Sequence, residues 1–149
     1  MTRAELTEKI LVAKRKKKVA WQTLAAKIDP KASPIFLTAA LLGQMCLLPA
    51  QAKKAASLLG LTADDAALLQ EIPYRGSLPT AVPTDPLIYR FYELVAVYGT
   101  TLKALIQEEF GDGIMSAIDL DMQLERLPDP KGDRVKLTMS GKFLPYKRY

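Results

Sequence analysis

The chain has 149 residues, 49% of them apolar and 25% charged, with a formal net charge of +5; this is the size and balance of one globular domain or two small ones. It contains no histidine and a single cysteine, Cys46. These counts exclude Ser-His-Asp and Cys-His nucleophile systems, the HExxH zinc site, an intrachain disulfide and a cysteine-based zinc site.

Residues 4–18 are predicted helical, with Leu6, Ile10, Leu11 and Val12 as apolar positions. The segment reads as no secretory signal, because Glu5 and Glu8 are present and an apolar h-region is not. The longest apolar run of the chain is far below a membrane span. The expected setting is therefore reducing and cytoplasmic, without a membrane partner. The basic excess is N-terminal: residues 1–80 carry 12 Lys and Arg against 6 Asp and Glu, and residues 81–149 carry 9 against 10. The run Lys14-Arg15-Lys16-Lys17-Lys18 supplies much of it, and reads more simply as a solvated face than as a nucleic-acid contact.

Trp21, Leu24, Ala25 and Ile28 have helical spacing, ended near Asp29-Pro30. Ser33-Pro34 predicts an N-cap followed by proline at the first helical position, with the helix running to about Leu42 and Gly43 beyond it. Cys46 lies in the apolar run that continues to Leu48 and is expected to be a small buried hydrophobe. A fourth helix spans 50–59 with Gly60 as its C-cap. A fifth runs from Thr62 to Leu69 and stops before Pro73.

Residues 73–86 hold Pro73, Pro79, Pro83, Pro86 and Gly76, which reads as a boundary. Two domains follow: an all-helical one over 1–80 and a second over 81–149. In the second, Asp85 is expected to cap a short helix ended by Gly99, and Thr100 a further short helix ended near Phe110-Gly111. Ile118, Leu120, Met122 and Leu124 then alternate with polar residues, a period-two strand. A turn over 128–133 leads to a second alternating strand with Val135, Leu137 and Met139. The acidic face of one strand matches the basic face of the other, which favours antiparallel pairing. The fold class is α+β, mostly α. A lone hairpin is marginal in water, so a second copy of the chain is expected to cover its apolar face.

The helices over 21–28 and 33–42 resemble the helix-turn-helix of a five-helix, phage-repressor-like domain. Base readout needs Arg, Lys, Asn or Gln on the second helix. Pro34-Ile35-Phe36-Leu37-Thr38-Ala39-Ala40-Leu41-Leu42 has none of these. It reads as a packing surface, and no nucleic-acid partner is expected.

Arg90 and Glu93 are the charged pair in an otherwise apolar helix, three apart and so on one face. An ordinary salt bridge and an anion site are the two readings. Ser116 is a further polar residue in apolar surroundings. Around them the chain closely resembles cyanase (cyanate hydratase). The carrying residues are Pro83-Thr84-Asp85-Pro86, Tyr89-Arg90-Phe91-Tyr92-Glu93, Val97-Tyr98-Gly99-Thr100-Thr101-Leu102-Lys103-Ala104-Leu105, Phe110-Gly111-Asp112-Gly113-Ile114, Ser116-Ala117-Ile118 and Gly141-Lys142-Phe143-Leu144-Pro145. The likeness extends through Thr38-Ala39-Ala40-Leu41-Leu42-Gly43-Gln44, Leu48-Pro49-Ala50 and Ile72-Pro73-Tyr74-Arg75-Gly76.

The resemblance implies bicarbonate-dependent decomposition of cyanate to ammonia and carbon dioxide through carbamate. It places the family's catalytic residues on Arg90, Glu93 and Ser116. It also implies a decamer, a pentamer of dimers, whose sites lie between dimers. No cofactor and no metal are expected, with bicarbonate as co-substrate. The residues agree with that chemistry. Two monoanions about 4 Å apart repel by roughly 4 kcal/mol at an effective dielectric near 20, so a site that repeats Arg90 by symmetry is better placed than a single arginine. Glu93 beside anions is unfavourable unless it holds Arg90. Ser116 has no base partner and is expected to donate to or accept from substrate rather than attack it. The alternative is an oligomeric, helix-turn-helix-derived binding protein without catalysis.

Overall fold

The computed structural model describes residues 1–148; Tyr149, the last residue of the expected second domain, lies outside them. Six helices precede one hairpin: α1 (Arg3–Lys17), α2 (Trp21–Ile28), α3 (Pro34–Leu41), α4 (Pro49–Leu59), α5 (Ala63–Leu68), α6 (Pro86–Phe110), then β1 (Gly113–Leu127) and β2 (Arg134–Pro145). The α+β, mostly α class holds. Contacts divide the chain into two units, the first Met1–Gly76 with Met122–Thr138, the second Ser77–Asp121 with residues from Met139 onward.

In the first unit the helices start and stop where local chemistry dictates. Thr2 caps α1 and Glu5 reaches back to the Thr2 backbone, a reciprocal pair. Those hydrogen bonds from Thr2 hold the Glu5 carboxyl below its ordinary pKa. The basic run falls in the last turn of α1, where cations oppose the negative end of the helix dipole. Lys14 also sits over the Trp21 ring, 4.7 Å from its centre. This assigns the run a local role that composition does not reveal. Gly60 ends α4 at φ 73, and Leu61 folds back onto the core.

The core joins Leu6 and Ile10 of α1, Leu24, Ala25 and Ile28 of α2, Leu37, Ala40 and Leu41 of α3, Ala52, Ala55 and Leu59 of α4, with Leu47 and Leu69 from the connections. Arg3 binds three carbonyls together, those of Leu68, Ala40 and Met45, at 3.2, 2.9 and 3.0 Å. Asp65 is fully buried and its Oδ2 takes the Lys9 ammonium and the Thr62 N–H. Burial pushes the Asp65 carboxyl up, but the bonds from Lys9 and Thr62 outweigh it and hold the group below its usual value.

Three expectations need correction here. Cys46 is exposed, not buried. Helix α3 stops at Leu41, and the following chain runs past Cys46 to Leu47, whose N–H donates to the Leu69 carbonyl. Leu47 is buried by that attachment and Cys46 is turned outward. Ser33 occupies the N-cap position of α3 but its hydroxyl makes no cap bond; it donates instead to the Met122 carbonyl at 3.2 Å. Strand β1 at Met122 thus lies against the start of the would-be reading helix. The third correction concerns the second unit. The two short helices expected on either side of Gly99 are one continuous helix, α6. Gly60 had Leu61 to dock after it; Gly99 is followed by Thr100 and Thr101, with no apolar residue to fold back. A glycine inside a helix costs about 1 kcal/mol, which does not interrupt the hydrogen-bond ladder.

The hairpin is longer than the alternation suggested, starting at Gly113 rather than near Ile118. Its charged faces meet as expected, through Lys136 with Glu125 at 3.2 Å and Arg126 with Asp133 at 2.8 Å.

Candidate active site

Helix α6 begins at a strong stop. Asp85 Oδ1 accepts from the N–H groups of Leu87 and Ile88, each at 2.9 Å, and Pro86 takes the first helical position. Arg90 and Glu93 follow one turn later, 3.4 Å apart between Nη1 and Oε2. Arg90 lies over the Tyr89 ring at 5.2 Å, and Tyr89 packs on Tyr92 at 5.7 Å between ring centres. The side chains of Arg90 and Glu93 are 63% and 48% exposed within one chain. An exposed pair of this kind contributes about 0–1 kcal/mol to stability. Its presence is therefore not explained by holding α6 together.

The surroundings of the pair are equally unfinished. The sequence predicts burial for a helix this apolar, yet no residue of α6 is buried within one chain. Leu87, Phe91, Val95, Tyr98 and Leu105 are all exposed. A continuous apolar surface of this extent marks a protein interface.

Ser116 is the opposite case, only 4% exposed. It lies in β1, and its hydroxyl oxygen accepts from the N–H groups of Ile118 at 3.0 Å and Asp119 at 2.9 Å. A hydroxyl has two acceptor positions and one donor. Both acceptor positions are filled, so the O–H remains as a donor. The sequence left open whether this serine donates or accepts; within β1 its oxygen is taken up by these two N–H groups. Among the described residues no hydrogen bond or ion pair links Ser116 to Arg90 or Glu93. The structure pairs Arg90 with Glu93 within a single chain and seats Ser116 on the N–H groups of its own strand.

Gly113 and Gly141 belong to the stretches that carry the resemblance, but no role for them was legible in the sequence. A Cβ on Gly141 would meet the Ser116 carbonyl and Met115, and one on Gly113 would meet the Leu144 carbonyl and the Phe143 ring. The available signal was glycine inside a strand, which marks a close backbone approach. No group of three or more His, Cys, Asp or Glu suited to a metal occurs among the described residues.

Family models cover both halves: cyanate hydratase, N-terminal, over residues 3–73, and cyanate lyase C-terminal domain over residues 80–148. The chain belongs to the cyanate hydratase family. It is 63% identical to the cyanate hydratase of Ralstonia pickettii and 62% identical to that of Dechloromonas aromatica, over the full length of each. Its fold is similar to that of cyanase from T. urticae, with a TM-score of 0.81 at 39% identity, covering 94% of this chain and 96% of that one. The cyanase resemblance read from the sequence is therefore upheld, and the chain is an enzyme of that family.

Proposed function

We propose that the protein decomposes cyanate with bicarbonate, using Arg90, Glu93 and Ser116 drawn from more than one chain. The observation that carries the reading is an Arg–Glu pair held 3.4 Å apart but mostly exposed, on a helix none of whose residues is buried. Full-length similarity to cyanate hydratases supports the activity itself.

In this reading Arg90 grips an anion with its planar guanidinium, and Glu93 orients Arg90. The Ser116 O–H donates to an anion oxygen or nitrogen; with its lone pairs occupied and no hydrogen bond to a base among the described residues, it is not a nucleophile. A bicarbonate oxygen attacks the cyanate carbon while the bicarbonate proton passes to nitrogen, which gives a dianion. After uptake of a proton, carbon dioxide leaves and carbamate remains. Carbamate takes a second proton and splits into ammonia and carbon dioxide. One cyanate, one bicarbonate and two protons thus give one ammonia and two carbon dioxide. Bicarbonate supplies both the nucleophile and a proton, so a chain without histidine is adequate. Holding the two reactants in register supplies on the order of 7–11 kcal/mol, and fixed positive charge stabilises the dianion.

The assembly proposed is a decamer built as a pentamer of dimers, with a division of each chain near residue 80 into helical and catalytic domains. A cytoplasmic setting is proposed with it. No helix among the described residues is long and apolar enough to cross a membrane. The deciding experiment is ammonia release from cyanate by the pure protein with and without bicarbonate. Release that requires both supports the reading; release that ignores bicarbonate overturns it.

A further inference from the structure

Gly141 of β2 does not take the left-handed conformation that reserves a position for glycine. Its backbone would tolerate alanine, so the reason for glycine is space. A Cβ there would lie 2.6 Å from the Ser116 carbonyl oxygen, 2.6 Å from Met115 Cγ and 3.3 Å from Met115 Sδ. A methionine side chain can swing away. A backbone carbonyl inside a paired strand moves only if the strand moves. Reaching even 3.0 Å, the lower limit of real contacts, requires a shift of at least 0.4 Å.

The residue under that pressure is held on two sides. Its carbonyl faces Gly141, while its hydroxyl is seated by the N–H groups of Ile118 and Asp119. We propose that Gly141 is a positioning residue for Ser116. Its missing side chain lets β2 close onto the Ser116 carbonyl, and this closure sets where the remaining O–H points. The inference rests on the reading of Ser116 as a substrate-binding hydroxyl. A misplacement near 1 Å costs on the order of 100-fold in rate, so a shift of several tenths of an ångström is expected to cost about 10-fold or more.

The test is a double-mutant cycle read as kcat and KM for cyanate. Gly141→Ala is expected to lower kcat about 10- to 100-fold with KM nearly unchanged, in an assembled oligomer. Added to Ser116→Ala, it is expected to cost nothing further, because the hydroxyl it positions is gone. Losses that multiply in the double variant overturn the proposal, as does normal turnover of Gly141→Ala. Normal turnover of Ser116→Ala instead refutes the reading of Ser116, a separate result. Gly132→Ala is the control at the far end of the hairpin, since Gly132 has φ 121 and nothing within 4 Å of a built Cβ. It is expected to lower thermal stability and keep kcat; an equal loss of kcat there makes the effect one of hairpin stability and overturns the proposal. Should Gly141→Ala fail to assemble, Met115→Ala/Gly141→Ala is compared with Met115→Ala. Failure of that pair also makes Gly141 a folding residue and overturns the proposal.

Discussion

Replacing Arg90 by Lys keeps the positive charge and removes the planar fork. Within one chain the Arg90–Glu93 pair is mostly exposed, so its loss changes stability by about 0–1 kcal/mol. A purely structural Arg90 thus predicts an intact oligomer and rates within about fivefold of normal. An anion clamp predicts something much larger. Each charge-assisted hydrogen bond contributes about 1.5–3 kcal/mol, and Lys forfeits at least one of the two that guanidinium makes to a carboxylate-like anion. At about 1.4 kcal/mol per decade, losing one or both lowers kcat/KM by about one to four orders of magnitude. Ammonia release under saturating bicarbonate, with sedimentation run on the same samples, separates the outcomes. Mixed oligomers sharpen the test. If the site uses Arg90 from more than one chain, activity falls faster than the mutant fraction rises. A linear decline, or near-normal turnover of Arg90→Lys, refutes the clamp and leaves Arg90 as a partner of Glu93.

Three further outcomes are expected. Because Ser116 is not linked to Arg90 or Glu93 within a chain, specific activity should fall with the oligomer across a urea series followed by sedimentation; dissociated chains with full activity would sink the shared site. Activity should survive prolonged chelation, and loss with recovery on adding a divalent metal would contradict the proposed chemistry. The folded-state pKa of Asp65 is depressed, so its contribution to stability is present above the unfolded value near 3.9 and is lost as pH falls through the lower folded value. Lys9→Met removes the main lowering influence and leaves burial, so thermal stability should drop by about 1–3 kcal/mol at neutral pH, and the acid loss linked to Asp65 should shrink, so that the two proteins converge in stability as pH falls. Melting curves for the two proteins that coincide between pH 3 and 7 would refute this.

Helix starts were readable because a cap is a local event. Thr62 at the start of α5 and Asp85 before Pro86 each satisfy N–H groups within three residues, while the Thr2–Glu5 cap of α1 emerged only in the structure. The strand alternation and the charge matching of the hairpin were readable for the same reason, since period two and a short turn fix which side chains face each other. Arg90 and Glu93 were conspicuous as charge within an apolar helix, and α6 does expose them on an apolar surface.

Tertiary structure decided whatever depended on a distant atom. Cys46 is exposed because Leu47 is tied to Leu69. The Ser33 hydroxyl leaves its cap for Met122, 89 residues along the chain. Gly99 stays helical while Gly60 does not, because only Gly60 is followed by a residue that can dock on a core. The Ser116 oxygen is occupied by the N–H groups of Ile118 and Asp119 within β1, and the space for a side chain at 141 is lost only once β2 lies against the Ser116 carbonyl. Local hydrogen-bonding needs are written in neighbouring residues; excluded volume between strands arises only when the chain has brought them together.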